Sequence, residues 1–189
     1  MNEPAQSTGL GEPAGAGGAR RETTERRVVV IGVGNEFRRD DGLGPEVLAR
    51  LRPHVAESVH LVSSDGEPAR LIEAWTGAAL AVIVDAVRGD PQTSGRIHRI
   101  ELDRADLGPV RTVSSHGLGL GEAIGLARAL DLMPERLVVH AIEATDFSFG
   151  VGLTPAVAAG ADALTAAVLI DLAADAERAS PAKSPALPR

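Results

Sequence analysis

RVVVIGVGNEFRRDDGLG, Arg27 to Gly44, joins a strand, a loop and the start of a helix, and it carries the strongest signal of the fold. Its first seven residues are a β-branched run closing on glycine, the pattern of a strand buried on both faces. A glycine-bearing loop follows, and Leu43–Leu51 then reads as a helix with Pro45 tolerated in its first turn. Working outward, the same alternation recurs. Ser58–Ser63 reads as a strand, Ala69–Trp75 as a short helix, and Leu80–Ala86 as a second buried strand carrying one acid near its end. Gly95–Leu102 alternates apolar and polar residues, which suits a strand near the sheet edge. Gly117–Leu130 reads as a helix, Arg136–Ile142 as the last strand, and Thr154–Pro155 as the cap and first position of a closing helix. Repeated strand-then-helix order implies an α/β fold of three layers, a mostly parallel sheet with helices on both faces. Ligand sites in such folds gather beyond the carboxyl ends of the strands.

The composition narrows the class. At 189 residues the chain suits one domain with tails: an N-terminal tail over 1–25, an α/β domain over 26–174 and a C-terminal tail over 175–189. Both tails are rich in Gly, Ala, Pro and charge and short of apolar residues, so they are expected to be disordered. Aromatic residues make up only 2%, which leaves packing to aliphatic side chains and suits a stacking nucleic-acid binder poorly. The net charge of −7 argues against nucleic acid and favours cations. With no cysteine, disulfides, thiolate metal sites and Cys nucleophiles are excluded. Residues 1–25 carry no apolar run of a secretory signal, and the apolar stretch Leu164–Leu172 is short and broken by Asp171. The expectation is a soluble cytoplasmic protein without membrane insertion.

The chemistry-bearing residues cluster in loops that follow strands. A glycine turn after a buried strand invites a dinucleotide reading, but that fingerprint needs glycine where Phe37 stands. Asp40 and Asp41 near the helix start would also repel phosphate. One of them can cap the helix, which leaves the other to be explained. Asp85 lies in an otherwise apolar strand, where an unpaired carboxylate is costly; a functional role and a turn role are equally good readings. His116 stands in Ser114-Ser115-His116-Gly117, a loop opening a helix, where a histidine is more often a surface residue than a ligand. The adjacent serines lack a nucleophile elbow. His54 and His60 flank the second strand, His98 sits in the edge-like strand, and His140 inside the last strand reads as a hydrogen-bonded core histidine. Glu143 and Asp146 could line the same cleft or serve as turn residues. If the strands lie side by side, Asp41, Asp85 and His116 converge. Two carboxylates and an imidazole suit a borderline divalent metal such as zinc or nickel.

Four blocks in order, Gly32–Gly44 (GVGNEFRRDDGLG), Ile83–Val87 (IVDAV), Ser114–Leu120 (SSHGLGL) and Gly150–Pro155 (GVGLTP), resemble the hydrogenase maturation proteases over about Val28–Leu172. The resemblance implies a five-stranded, mostly parallel sheet with helices on both sides. It implies metal ligands at Asp41, Asp85 and His116, the same residues being the catalytic set, with Asp40 a neighbour. It also implies a monomeric, metal-dependent endopeptidase. Such an enzyme recognises nickel in the precursor of a nickel–iron hydrogenase large subunit and removes its C-terminal extension. Nickel would then arrive with the precursor, and other divalent metals could occupy the site in vitro. Where family members often carry D-G-G-T-x-G, this chain has Asp65-Gly66-Glu67-Pro68-Ala69-Arg70, so no particular hydrogenase is implied. Two rival readings are a metal-binding or metal-sensing module without peptidase activity, and a nucleotide-binding domain with Asp65 on a ribose.

Overall fold

The computed structural model describes residues 26–103 and 118–180. The tails expected over 1–25 and beyond residue 180, and the loop carrying Ser114, Ser115 and His116, lie outside the described residues.

Five strands form one sheet in the order β2-β1-β3-β5-β4. They are β1 (Val28–Val33), β2 (Val59–Ser64), β3 (Leu80–Arg88), β4 (Ile97–Asp103) and β5 (Arg136–Ala144). All pairs are parallel except β4 with β5, which is antiparallel and puts β4 at an edge, as its alternation predicts. The β-branched runs of β1 and β3 are buried nearly throughout because helices cover both faces.

On one face, α1 (Leu43–Leu51) and α4 (Pro155–Ala179) press Leu43, Val47, Leu51, Val157, Leu164 and Val168 onto Val30, Val82 and Val138. On the other, α2 (Pro68–Trp75) and α3 (Leu118–Ala129) press Leu71, Trp75, Ala123 and Ile124 onto Ile31, Ile83 and Val139. The indole of the single tryptophan is wholly buried and donates from Nε1 to the Leu132 carbonyl at 3.2 Å.

Two sequence expectations need correction. Thr154 does occupy the N-cap position of α4, but its hydroxyl makes no cap bond and donates instead to Asp40 Oδ2 at 3.1 Å. The C-terminal boundary placed at 174 is also too early, since α4 continues to Ala179. Asp175, only 2% exposed, accepts from Arg26 at 2.8 Å and from Arg136 at 2.9 Å, and this tie to the sheet edge holds the last turns. By length and a mean hydropathy of 1.7, α4 could cross a membrane. Here its apolar stripe packs on α1 and β5, and its two buried acids face arginines of β4 and β5.

Candidate active site

The site is built at the carboxyl ends of β1 and β3, and glycines make the loop after β1 possible. Gly34 takes φ +127°, and a Cβ there would meet the Asp41 carbonyl at 1.9 Å. Gly44 lets α1 lie against β1, since its Cβ would meet the Val33 carbonyl at 2.2 Å. The loop thus folds back on its own strand, closed by Asn35 N–H donating to Asp41 O at 3.1 Å and Gly34 N–H to Ser64 O at 2.9 Å. Arg39, at φ +50°, carries the remaining strain in a left-handed conformation unusual for a side-chain-bearing residue.

The two adjacent acids separate. Asp40 is fully buried. Its carboxylate accepts from Thr154 N at 2.6 Å, Thr154 Oγ1 at 3.1 Å and Asp146 N at 3.2 Å, so it clamps the β5–α4 loop and the start of α4. Neither acid makes a side-chain cap to α1, whose N-cap is Gly42. Asp41 faces the other way, into a cleft of about 250 Å³ that it lines together with Asp85, Asp65, Gly66, Arg38 and Phe147.

Asp85 lies on the α2/α3 face of β3, with Ala141 of β5 beside it in register. Burial, and then the negative charge of Asp41, push its pKa from 3.8 up to about 7. A hydrogen bond with the Ala86 backbone works the other way without winning. A negative charge on Asp85 is therefore unfavourable in the bare cleft, and a cation between the two carboxylates would relieve it.

The structure brings Asp41 and Asp85 together. His116, the third expected member, lies outside the described residues. Among the described residues no group of three or more His, Asp or Glu side chains is arranged to hold a metal ion. What the described residues provide is the pair of carboxylates, Asp41 and Asp85, on one cleft.

Glu143 and Asp146 do not line this cleft. Glu143 pairs with His98 at 2.6 Å, and Asp146 accepts from Ser148 N at 3.0 Å as a turn residue. His140 is the core histidine expected, 1% exposed, with Nε2 bonded to Asp171 at 2.6 Å. Burial lowers its pKa more than Asp171 raises it. Its Nδ1 has no hydrogen-bond partner among the described residues. His54 and His60 are exposed.

Sequence reasoning missed Arg38, Arg88 and Phe147 as cleft residues. The Arg88 guanidinium lies 4.8 Å from the Phe147 ring centroid, a cation–π contact that closes one side. Spacing offered no signal, because residues three apart on a strand face opposite sides; Arg88 reaches the cleft from the carboxyl end of β3. The divergent stretch Asp65–Arg70 also has a local role: Glu67 caps α2 by accepting from Arg70 N at 3.0 Å, and Arg70 pairs with Asp65 at 3.2 Å.

The chain and its fold are similar to known proteins. A family model described as hydrogenase maturation protease matches residues 45–170. The hydrogenase expression/formation protein HupD of Thiocapsa roseopersicina is 27% identical over 137 residues, covering 70% of this chain. The chain spans 61% of that relative's length. Among solved structures, the hydrogenase maturating endopeptidase HybD from E. coli superposes with a TM-score of 0.66 at 21% identity, covering 79% of this chain and 93% of that one. The [NiFe] hydrogenase maturation protease HybD from Thermococcus kodakarensis does so with a TM-score of 0.60 at 24% identity, covering 78% and 99%. At these identities the two structures speak for the fold.

Proposed function

The chain belongs to the hydrogenase maturation protease family, and from that premise we propose that it is an endopeptidase removing the C-terminal extension of a nickel–iron hydrogenase large-subunit precursor. The observation that carries the reading is the pairing of Asp41 with Asp85 at the carboxyl edge of the sheet, where burial and the neighbouring Asp41 disfavour a charge on Asp85.

A pair of carboxylates with this electrostatic deficit suits a divalent cation, and His116 is proposed as the third ligand. The cation in the reaction is the nickel carried by the precursor, so it belongs to the substrate. Other divalent metals would occupy the same residues in the isolated protein. Bound there, such an ion supplies Lewis acidity and a fixed point for orienting the scissile bond. The chain's own contribution is positional. Asp40 holds the loop that presents Asp41, β3 fixes Asp85, and Arg38, Arg88 and Phe147 wall the cleft. The enzyme is proposed to act as a cytoplasmic monomer.

The metal-binding module remains the alternative, because the same acids would serve it; only turnover of a precursor separates the two. The cation site itself is tested by titrating Ni²⁺ or Zn²⁺ into the purified protein by calorimetry. One ion should bind, and Asp85→Asn should lose it. Since Asp85 takes up a proton near pH 7, protons compete with the ion, and affinity should fall as pH drops through about 7. Affinity equal in wild type and Asp85→Asn would remove the pair from the site.

A further inference from the structure

The chain has three phenylalanines, one tryptophan and no tyrosine. The tryptophan is core, while Phe37, Phe147 and Phe149 all lie on the two loops that frame the acidic cleft, residues 34–42 and 145–154. Phe149 is 90% exposed, Val151 71% and Phe37 61%. In a protein so poor in aromatics, this concentration of exposed apolar side chains at one place marks an interaction site rather than scattered surface.

The loops that carry them are joined. Arg38 and Gly150 form a parallel β-bridge, with Gly150 N–H donating to Phe37 O and Arg39 N–H to Gly150 O, each at 2.9 Å. Arg38 also donates to Phe147 O at 3.3 Å and Arg39 to Val151 O at 3.3 Å. Beneath them the Asp40 carboxylate ties the same loops again. The apolar side chains therefore stand on preordered backbone, which lowers the entropic cost of binding through them. The patch adjoins the cleft: Arg38 and Phe147 line the cleft beside Asp41 and Asp85, Phe37 directly precedes Arg38, and Phe149 stands two residues beyond Phe147.

We propose that Phe37, Phe149 and Val151 form the substrate-docking rim, across which an apolar segment of the precursor polypeptide lies so that its scissile bond enters the Asp41–Asp85 cleft. This rests on the peptidase reading above. A protein substrate whose bond must be presented to a narrow acidic cleft needs purchase outside it, and the rim is the apolar surface adjoining that opening. Its residues are specificity determinants, touching the substrate away from the reacting atoms.

The test is steady-state cleavage of a nickel-loaded large-subunit precursor by the full chain, compared with the double variant Phe37→Ser/Phe149→Ser and with Phe37→Leu/Phe149→Leu. The serine variant should raise KM by about tenfold or more with kcat little changed. The leucine variant should recover most of the loss, and the melting temperature of both should match wild type, because the side chains are exposed. Wild-type cleavage with KM unaltered in the serine variant overturns the rim alone. So does a wild-type dimer in sedimentation that the serine variant loses while KM stays unaltered, since the occupant is then a second copy of the chain. Failure of the wild type to cut the precursor overturns the peptidase reading, and the rim with it.

Discussion

Between Asp40 and Asp41 the backbone turns through a 3-10 turn, Arg39–Gly42, and sends two identical side chains to opposite tasks. One is dry and holds three donors of the β5–α4 region; the other faces the cleft. The residues themselves showed that two adjacent acids exceeded what a helix cap needs, but only the family resemblance set Asp41 apart from Asp40. That choice depends on Thr154 and Asp146, more than a hundred residues away. Asp85 was legible for a physical reason: a lone acid in LAVIVDA needs a partner, and Asp41 turns out to be a neighbour of like charge. The Asp40 clamp makes a direct prediction. Asp40→Ala strands two backbone N–H groups and a hydroxyl, and hydrogen bonds to a charged group contribute roughly 1.5–3 kcal/mol each. Denaturant unfolding should show a loss of about 3 kcal/mol or more, whereas a loss below about 1 kcal/mol would mean the loops hold together without it.

At the scale of elements, hydrophobic runs and glycine placement made the strands and helices readable to within two residues at most ends. Leu43–Leu51 needed no adjustment. The end of α4 escaped because charge was read as solvation. Asp171 and Asp175 look like the polar face of a fading helix, yet both turn inward to arginines that β4 and β5 present. Asp171 meets Arg99 at 2.7 Å, and Asp175 meets Arg136 at 2.9 Å. Arg136 in turn reaches Glu101 at 2.7 Å, so the edge strand, its neighbour and α4 share one ionic network. Breaking a buried pair by deleting one partner costs about 3–5 kcal/mol, more than exposed pairs contribute. A chain ending at Ala174 should therefore be destabilised by about 3 kcal/mol relative to one ending at Ser180. Equal unfolding midpoints would mean that residues 175–180 behave as the tail their composition suggests.

For the whole molecule, parallel topology explains why the informative residues lie so far apart in the chain and so close in space. β1 and β3 are adjacent, so the loop after one meets the end of the other. The parallel strands β1, β2, β3 and β5 all end at this edge, whereas β4, antiparallel to β5, ends at the opposite one. The fold class and this convergence follow from alternation alone. The apolar rim does not, because Phe37 and Phe149 become neighbours only through the bridge between their loops. Whether the acidic cleft cuts a nickel-bearing precursor is read by intact-mass analysis. A large-subunit precursor, prepared with and without nickel, would be incubated with the full chain. One C-terminal fragment should be released from the nickel-loaded form only, and none with Asp85→Ala. An equal fragment from the nickel-free precursor, or cleavage undiminished in the variant, would contradict the proposed function.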